Sequence, residues 1–269
     1  MYQVKPIAPQ EKRALLAEFS QSCEQGDLSW SFPLKENGPC PPERRMTLYF
    51  QALPGVILRL TRLAALLGMP EAAIRAWRAA LPGADAVFLT VSQDLSSLRL
   101  YCQHLSAALP RVEAQDLRPF DIYRGFKALP GGHLREDRYL CHPLRPLEET
   151  LPPLRETLAA AGLEAAQIAA LCAGLSPGRM IHAAISGAGR QSWLMTLREA
   201  GVPPALSAAL FAPLVPLAPE LAPLLRARAL LHLAGGADPL KGRFMTLYLE
   251  ADAADQAAFL AETPLTAPR

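Results

Sequence analysis

Cations and phenols alternate with apolar residues along several short stretches of this chain, and their spacing carries the first chemical hint. In Arg45 to Gln51, a side-chain period of two puts Arg45, Thr47, Tyr49 and Gln51 on one face and Met46, Leu48 and Phe50 on the other. The same rule sets Arg99, Tyr101 and Gln103 against Leu98, Leu100 and Cys102, and Thr196 and Arg198 against Met195 and Leu197. It also sets Thr246, Tyr248 and Glu250 against Met245, Leu247 and Leu249. Guanidinium groups beside phenol hydroxyls suit a diphosphate, whose oxygens accept charge-assisted hydrogen bonds from several directions. Tyrosine faces can shield a developing carbocation through their ring quadrupoles. Both needs coincide in prenyl transfer. Taken singly, Arg45, Arg99, Lys127 and Arg198 read as solvated strand residues, and a buried tyrosine usually just satisfies its hydroxyl. Only the shared facing makes the binding reading competitive. The chain has no Asp-Asp-x-x-Asp run, so a metal-cluster isoprenoid synthase is not indicated.

Those strands need a frame. Helical periodicity covers Pro9 to Cys23, Val56 to Leu67, Glu71 to Leu81, Leu147 to Ala161 and Ala165 to Ala173, with a proline-punctuated helix from Pro204 to Arg226. Extended segments are expected at Leu28–Leu34, Met46–Gln51, Ala86–Val91, Leu98–Gln103, Asp121–Lys127, Asp137–His142, Met180–Ser186, Ser192–Arg198, Leu230–Ala234 and Phe244–Glu250. Turns are expected at Pro130-Gly131-Gly132 and at Gly187-Ala188-Gly189, the latter a hairpin and not a phosphate loop because it opens no helix. Met46-Thr47-Leu48-Tyr49 returns as Met245-Thr246-Leu247-Tyr248, with variants ending at Tyr101 and Arg198, spaced by about 50 residues or twice that. Five units of two helices and two strands follow. About ten antiparallel strands tend to curl, and closure removes exposed edges, so the polar face is expected to become the lumen of a helix-wrapped barrel. An open sheet with one solvated face is the competing arrangement.

Composition agrees. The chain has 269 residues, 51% of them hydrophobic, enough for one packed α+β domain spanning 1–269. With 27 basic and 25 acidic residues, it lacks the one-signed field of a nucleic-acid binder. Prolines and charges interrupt Leu206 to Ala234, so no membrane span is expected, and Met1 to Arg13 lacks an apolar signal core. A cytoplasmic protein with five reduced cysteines is the expectation.

On the Arg45 to Gln51 strand, Asp94 before Leu98 to Tyr101, Phe120-Asp121-Ile122-Tyr123 and the Arg243 to Glu250 strand, the chain resembles the ABBA-type aromatic prenyltransferases. Among them it is most similar to the cyanobactin-type branch acting on ribosomal peptides. The resemblance spans nearly the whole chain through the order of its elements. It implies a ten-stranded barrel of ααββ units that transfers dimethylallyl or geranyl from its diphosphate to a peptide side chain, with Mg2+ commonly assisting. Arg45, Arg99, Tyr101, Lys127, Arg198 and Tyr248 would bind the diphosphate; Trp30, Tyr49 and Tyr123 would line the prenyl and acceptor space. Glu250 or Asp121 would take a proton, and His182 would line the site or assist proton transfer. Each has a plainer reading: arginine partners for the carboxylates, and packing for the histidine and tryptophan. Members that prenylate tyrosine oxygen resemble one another in an acidic residue on the first strand, which Ser29-Trp30-Ser31 does not supply. A barrel modifying a small phenol or indole, and a non-catalytic ligand- or peptide-binding barrel, are the alternatives.

Overall fold

The computed structural model describes residues 7–23, 25–128, 134–239 and 241–262. Alternating residues extend into strands β1 (Gln25–Lys35), a two-residue β2 (Gly38–Pro39), β3 (Glu43–Gln51), β4 (Ala86–Ser92), β5 (Leu98–Gln103) and β6 (Phe120–Ala128). They continue as β7 (Leu134–His142), β8 (Ile181–Gly187), β9 (Arg190–Thr196), β10 (Leu230–Asp238) and β11 (Gly242–Ala251). Apart from β2, each strand pairs antiparallel with its neighbours in chain order, and β11 pairs with β1. That last pairing closes a ten-stranded barrel, leaving no long edge to protect.

Outside lie α1 (Pro9–Ser20), α2 (Pro54–Leu66), α3 (Glu71–Ala79), α4 (Ala108–Glu113), α5 (Leu147–Ala160), α6 (Ala165–Ala173), α7 (Pro204–Phe211), α8 (Leu221–Ala227) and α9 (Ala253–Ala261). Their spacing explains their seating. On α3, Ala73, Ile74 and Trp77 fall on one buried stripe, and Trp77 Nε1 donates to the Tyr101 carbonyl at 2.9 Å. The apolar strand faces, including Trp30, Phe32, Met46, Leu48, Leu100 and Leu247, join these helices in one core around the barrel.

Five repeats are present with two departures from regularity. α1 packs against C-terminal α9, so the first helix pair is assembled from both ends of the chain. Between β5 and β6, a 3-10 turn and the six-residue α4 replace a full pair. The expected Gly187-Ala188-Gly189 turn is a hairpin in which Ala188 and Gly189 take positive φ, 46° and 79°. The Pro130-Gly131-Gly132 turn lies outside the described residues. Cys40, Cys102, Cys141 and Cys172 are free thiols, and no helix of the described residues is long and apolar enough to cross a membrane.

Candidate functional site

Strand alternation aims the polar face inward, where the lumen side chains fall into distinct groups. At the hairpin end, Arg135 Nε donates to Asp137 Oδ1 at 3.0 Å, Arg135 Nη1 meets Asp238 Oδ2 at 2.9 Å, and Arg190 Nη1 donates to Asp137 Oδ2 at 3.0 Å. All four side chains are buried, so two guanidinium groups and two carboxylates close the lumen with matched charge.

Next comes an unmatched group. Arg45 makes paired hydrogen bonds to Glu43 at 3.0 and 2.6 Å, and Lys241 also donates to that carboxylate. Burial opposes ionisation of Glu43, but Arg45 and Lys241 outweigh it and hold the group well below its ordinary value. Arg99 is buried, and its Nε has no hydrogen-bond partner among the described residues. Lys127 lies opposite Arg99 in the β5–β6 register. Its amine is pushed down to about 7 by burial, then by the charges of Arg99 and Lys241.

Above the cations sits a belt of rings. Tyr49 and Phe88 stand 4.3 Å apart, Phe88 and Tyr123 5.9 Å, Tyr123 and Tyr139 5.6 Å, and Tyr101 and Tyr139 6.0 Å. Gly125 makes room for this belt: a Cβ there would fall 2.5 Å from Tyr101 Cε1. Tyr248 packs edge-on against His232 at 5.5 Å. Burial pushes the hydroxyls of Tyr123 and Tyr248 up to about 12, and burial with the charge of Arg198 pushes His232 down to about 3. Phenols and imidazole are therefore neutral at physiological pH. Arg45, Arg99, these rings, Leu194, Thr196 and Arg198 enclose a cavity of about 320 Å³. Its size lies at the small end of small-molecule sites.

The structure thus brings together Arg45, Arg99, Lys127, Tyr49, Tyr101, Tyr123 and Tyr248. Five expectations are corrected. Trp30 points away from the lumen, fully buried against the helices; its Nε1 donates to Glu220 at 3.0 Å and the Arg44 guanidinium lies over its ring. Asp121 faces outward because the β6–β7 register shifts between Asp121 and Tyr123; it binds Arg138 at 2.7 Å. His182 alternates with the lumen residues Ala183 and Ile185 and lies outside beside His142 and Arg145, its imidazole depressed to about 4 by burial and Arg145. Glu250 is exposed at the rim and does not line the cavity. Strand β9 ends at Thr196, so Arg198 sits in the following 3-10 turn, exposed at the mouth of the cavity and at the opposite end of the strands from Arg45, Arg99 and Lys127. Asp94 holds the β4–β5 turn by accepting from Ser96 N and Ser92 Oγ.

The sequence reading missed Asp27, Glu43, Lys241, Tyr139 and His232. Asp27 matters most. β1 begins at Gln25, earlier than its apolar pattern suggests, and places Asp27 on the same face as Ser29. The side chain is fully buried, Tyr49 Oη donates to its Oδ2 at 2.5 Å, and its Oδ1 lacks a partner among the described residues. Burial raises the carboxyl to about 7 against the opposing effects of the Tyr49 and Thr47 hydroxyls and of Arg198. The first strand therefore does carry an acid, contrary to the reading of Ser29-Trp30-Ser31.

The residues do not fit a magnesium ion held by the protein. Glu43, Asp137 and Asp238 are committed to arginine or lysine. No group of three or more His, Cys, Asp or Glu among the described residues is placed to hold a metal ion.

This architecture is that of known barrels. The crystal structure of 5-dimethylallyltryptophan synthase from Streptomyces coelicolor in complex with DMASPP and Trp gives a TM-score of 0.54 at 14% identity, aligning 90% of this chain with 82% of that one. A further crystal structure of that synthase gives 0.52 at 14% identity over 85% and 81%. The binary complex of PriB with product diphosphate gives 0.48 at 12% identity over 86% and 80%. At such identities the likeness establishes the fold: the chain is a closed ten-stranded barrel ringed by helices, as in the ABBA prenyltransferases. Neither a family model nor a curated protein sequence matches it.

Proposed function

We propose that the chain is a prenyltransferase that moves an allylic group, dimethylallyl or geranyl, from its diphosphate to a side chain of a ribosomally made, cyclic peptide, as in the cyanobactin-type branch. One observation carries the donor half: Arg99, buried with an unpartnered Nε, stands among Arg45, Lys127 and Lys241 at the base of a tyrosine-walled cavity. A buried guanidinium with an unused donor is costly unless an anion meets it. As the carbon–oxygen bond of the donor breaks, its electron pair leaves with the diphosphate toward these cations. Tyr49, Tyr101, Tyr123 and Tyr139 face the resulting allyl cation and keep out water. The acceptor's proton passes to Tyr49 Oη while Tyr49 gives its own to Asp27 Oδ2. Any magnesium the reaction uses comes with the donor's diphosphate and not from a carboxylate site of the chain.

The peptide half rests on size and rim. A cavity of about 320 Å³ suits a donor and a single side chain. Exposed Leu105, Leu117 and Leu144, in connections at the helix end of β5, β6 and β7, give the rest of an apolar peptide a surface to lie on. A second reading, a free aromatic amino acid, is favoured by neighbouring Arg198 and Glu199, which line the mouth and match a carboxylate and an ammonium. Incubation with dimethylallyl or geranyl diphosphate and a panel of short cyclic peptides and L-tryptophan, read by mass spectrometry, tests both. Added isoprene mass on a peptide supports the first reading, added mass on tryptophan alone supports the second, and none on any acceptor defeats the enzyme reading.

A further inference from the structure

Beside the paired group, at the same hairpin end, the lumen holds more positive than negative charge. Arg45, Arg99, Lys127 and Lys241 surround one carboxylate, Glu43, which already accepts from both Arg45 and Lys241. Lys127 comes from the end of β6 and Lys241 from the β10–β11 turn. The elements packed about them present Arg99 from β5 and Glu43 and Arg45 from β3. From β7 comes Arg135, the register partner of Lys127, which is committed to Asp137 and Asp238. Lys127, half-buried, loses part of its hydration, Lys241 stays more exposed in its turn, and both meet like charges that disfavour the charged form. The Lys241 amine is brought down to about 8 by burial and Arg45, with Glu43 as a partial offset, and Lys127 lies about a unit lower.

We propose that Lys241 is a donor-binding residue alongside Lys127, and that the pair takes up a proton as the diphosphate enters, so that the chamber adjusts its charge to its ligand. The proposal rests on reading this chamber as the diphosphate site. A multiply ionised diphosphate placed among the cations replaces repulsion with attraction, returning both amines toward their ordinary value. In the empty chamber at about pH 8, Lys127 is mostly neutral and Lys241 about half neutral; with the anion bound, both are charged. The bound form then holds more protons than the free form. Affinity therefore falls as pH rises, by about tenfold per pH unit for each proton taken up. When the donor bond breaks, the leaving diphosphate gains a further negative charge, and the ammonium groups formed on binding already face it.

The test is calorimetric titration of the full chain with dimethylallyl thiolodiphosphate at about pH 8, repeated in buffers of different ionisation enthalpy, with a parallel pH series. Uptake of between one and two protons per analogue bound is expected, with a Kd that weakens by more than about tenfold over one pH unit. The Lys127→Arg, Lys241→Arg double variant keeps permanent charge and is expected to bind while losing both the buffer dependence and the pH slope. The double methionine variant is expected to bind far more weakly at every pH, with thermal unfolding confirming that both variants fold. Binding without proton uptake, or unchanged uptake in the double arginine variant, overturns the proposal and leaves the donor reading standing. No binding of the analogue by the unaltered chain overturns both.

Discussion

Two groups of lumen charges lie near one another in this barrel, built from the same residue types on the same strand faces. At the floor, Arg135 and Arg190 meet Asp137 and Asp238, two against two, with donor–acceptor distances of 2.9–3.0 Å. In the chamber beside it, Arg45, Arg99, Lys127 and Lys241 share Glu43. Burial costs the first group and Arg45 and Arg99 of the second their hydration, and stoichiometry separates the roles of the two groups. Matched charges satisfy one another and close the barrel. Unmatched ones leave Arg99 Nε without a partner and depress two lysines, a state that an arriving anion relieves.

The comparison can be broken most severely where proton transfer depends on it. Asp27→Asn is expected to cut turnover about 10²–10⁴-fold with little loss of donor binding, because the variant keeps the Tyr49 contact but cannot take a proton. In the parent, turnover should rise with pH through about 7 as Asp27 ionises, then fall as donor affinity declines with the chamber lysines. A pH–rate profile of the variant that retains the limb near 7 would remove Asp27 from the mechanism.

At the floor, Asp137→Asn should lower stability by about 3–5 kcal/mol, read from denaturant midpoints, since Arg190 loses its carboxylate and Arg135 keeps only Asp238. In the chamber, Arg99→Gln should leave the midpoint nearly unchanged and weaken dimethylallyl thiolodiphosphate by about 1.5–3 kcal/mol, the range for a charged hydrogen-bond partner. If both substitutions destabilise the fold equally and neither alters affinity, the distinction between floor and chamber collapses. Smallest of all, His182→Gln and Glu250→Gln should change kcat/KM less than about twofold, because the first lies outside the barrel and the second at its exposed rim.

Much of the barrel was legible because a period of two is local. Met46, Leu48 and Phe50 against Arg45, Thr47 and Tyr49 declare two faces without any knowledge of the partner strands. The rule extends to β1, where Trp30 falls outside between inward Ser29 and Ser31, although the sequence reading assigned it to the acceptor space. Asp27 escaped because the apolar pattern of β1 begins only at Leu28 although the strand starts at Gln25. Asp121 escaped because a register shift in β6 reverses the alternation, and such a shift is set by the partner strand. Lys241 sits in a turn, where no periodicity assigns a face.

The sequence by itself determined which strand faces are polar, that tyrosines and arginines share them, and that a repeat of about 50 residues spans the chain. Those properties follow from spacing within single segments. Tertiary structure alone decided which charges meet: Arg135 finds Asp238 and Lys241 finds Glu43 across long separations in sequence. Barrel closure fixes those encounters. It thereby decides which cations are neutralised and which remain for a ligand, because a charge's cost and use depend on its partners in space and not on its neighbours along the chain.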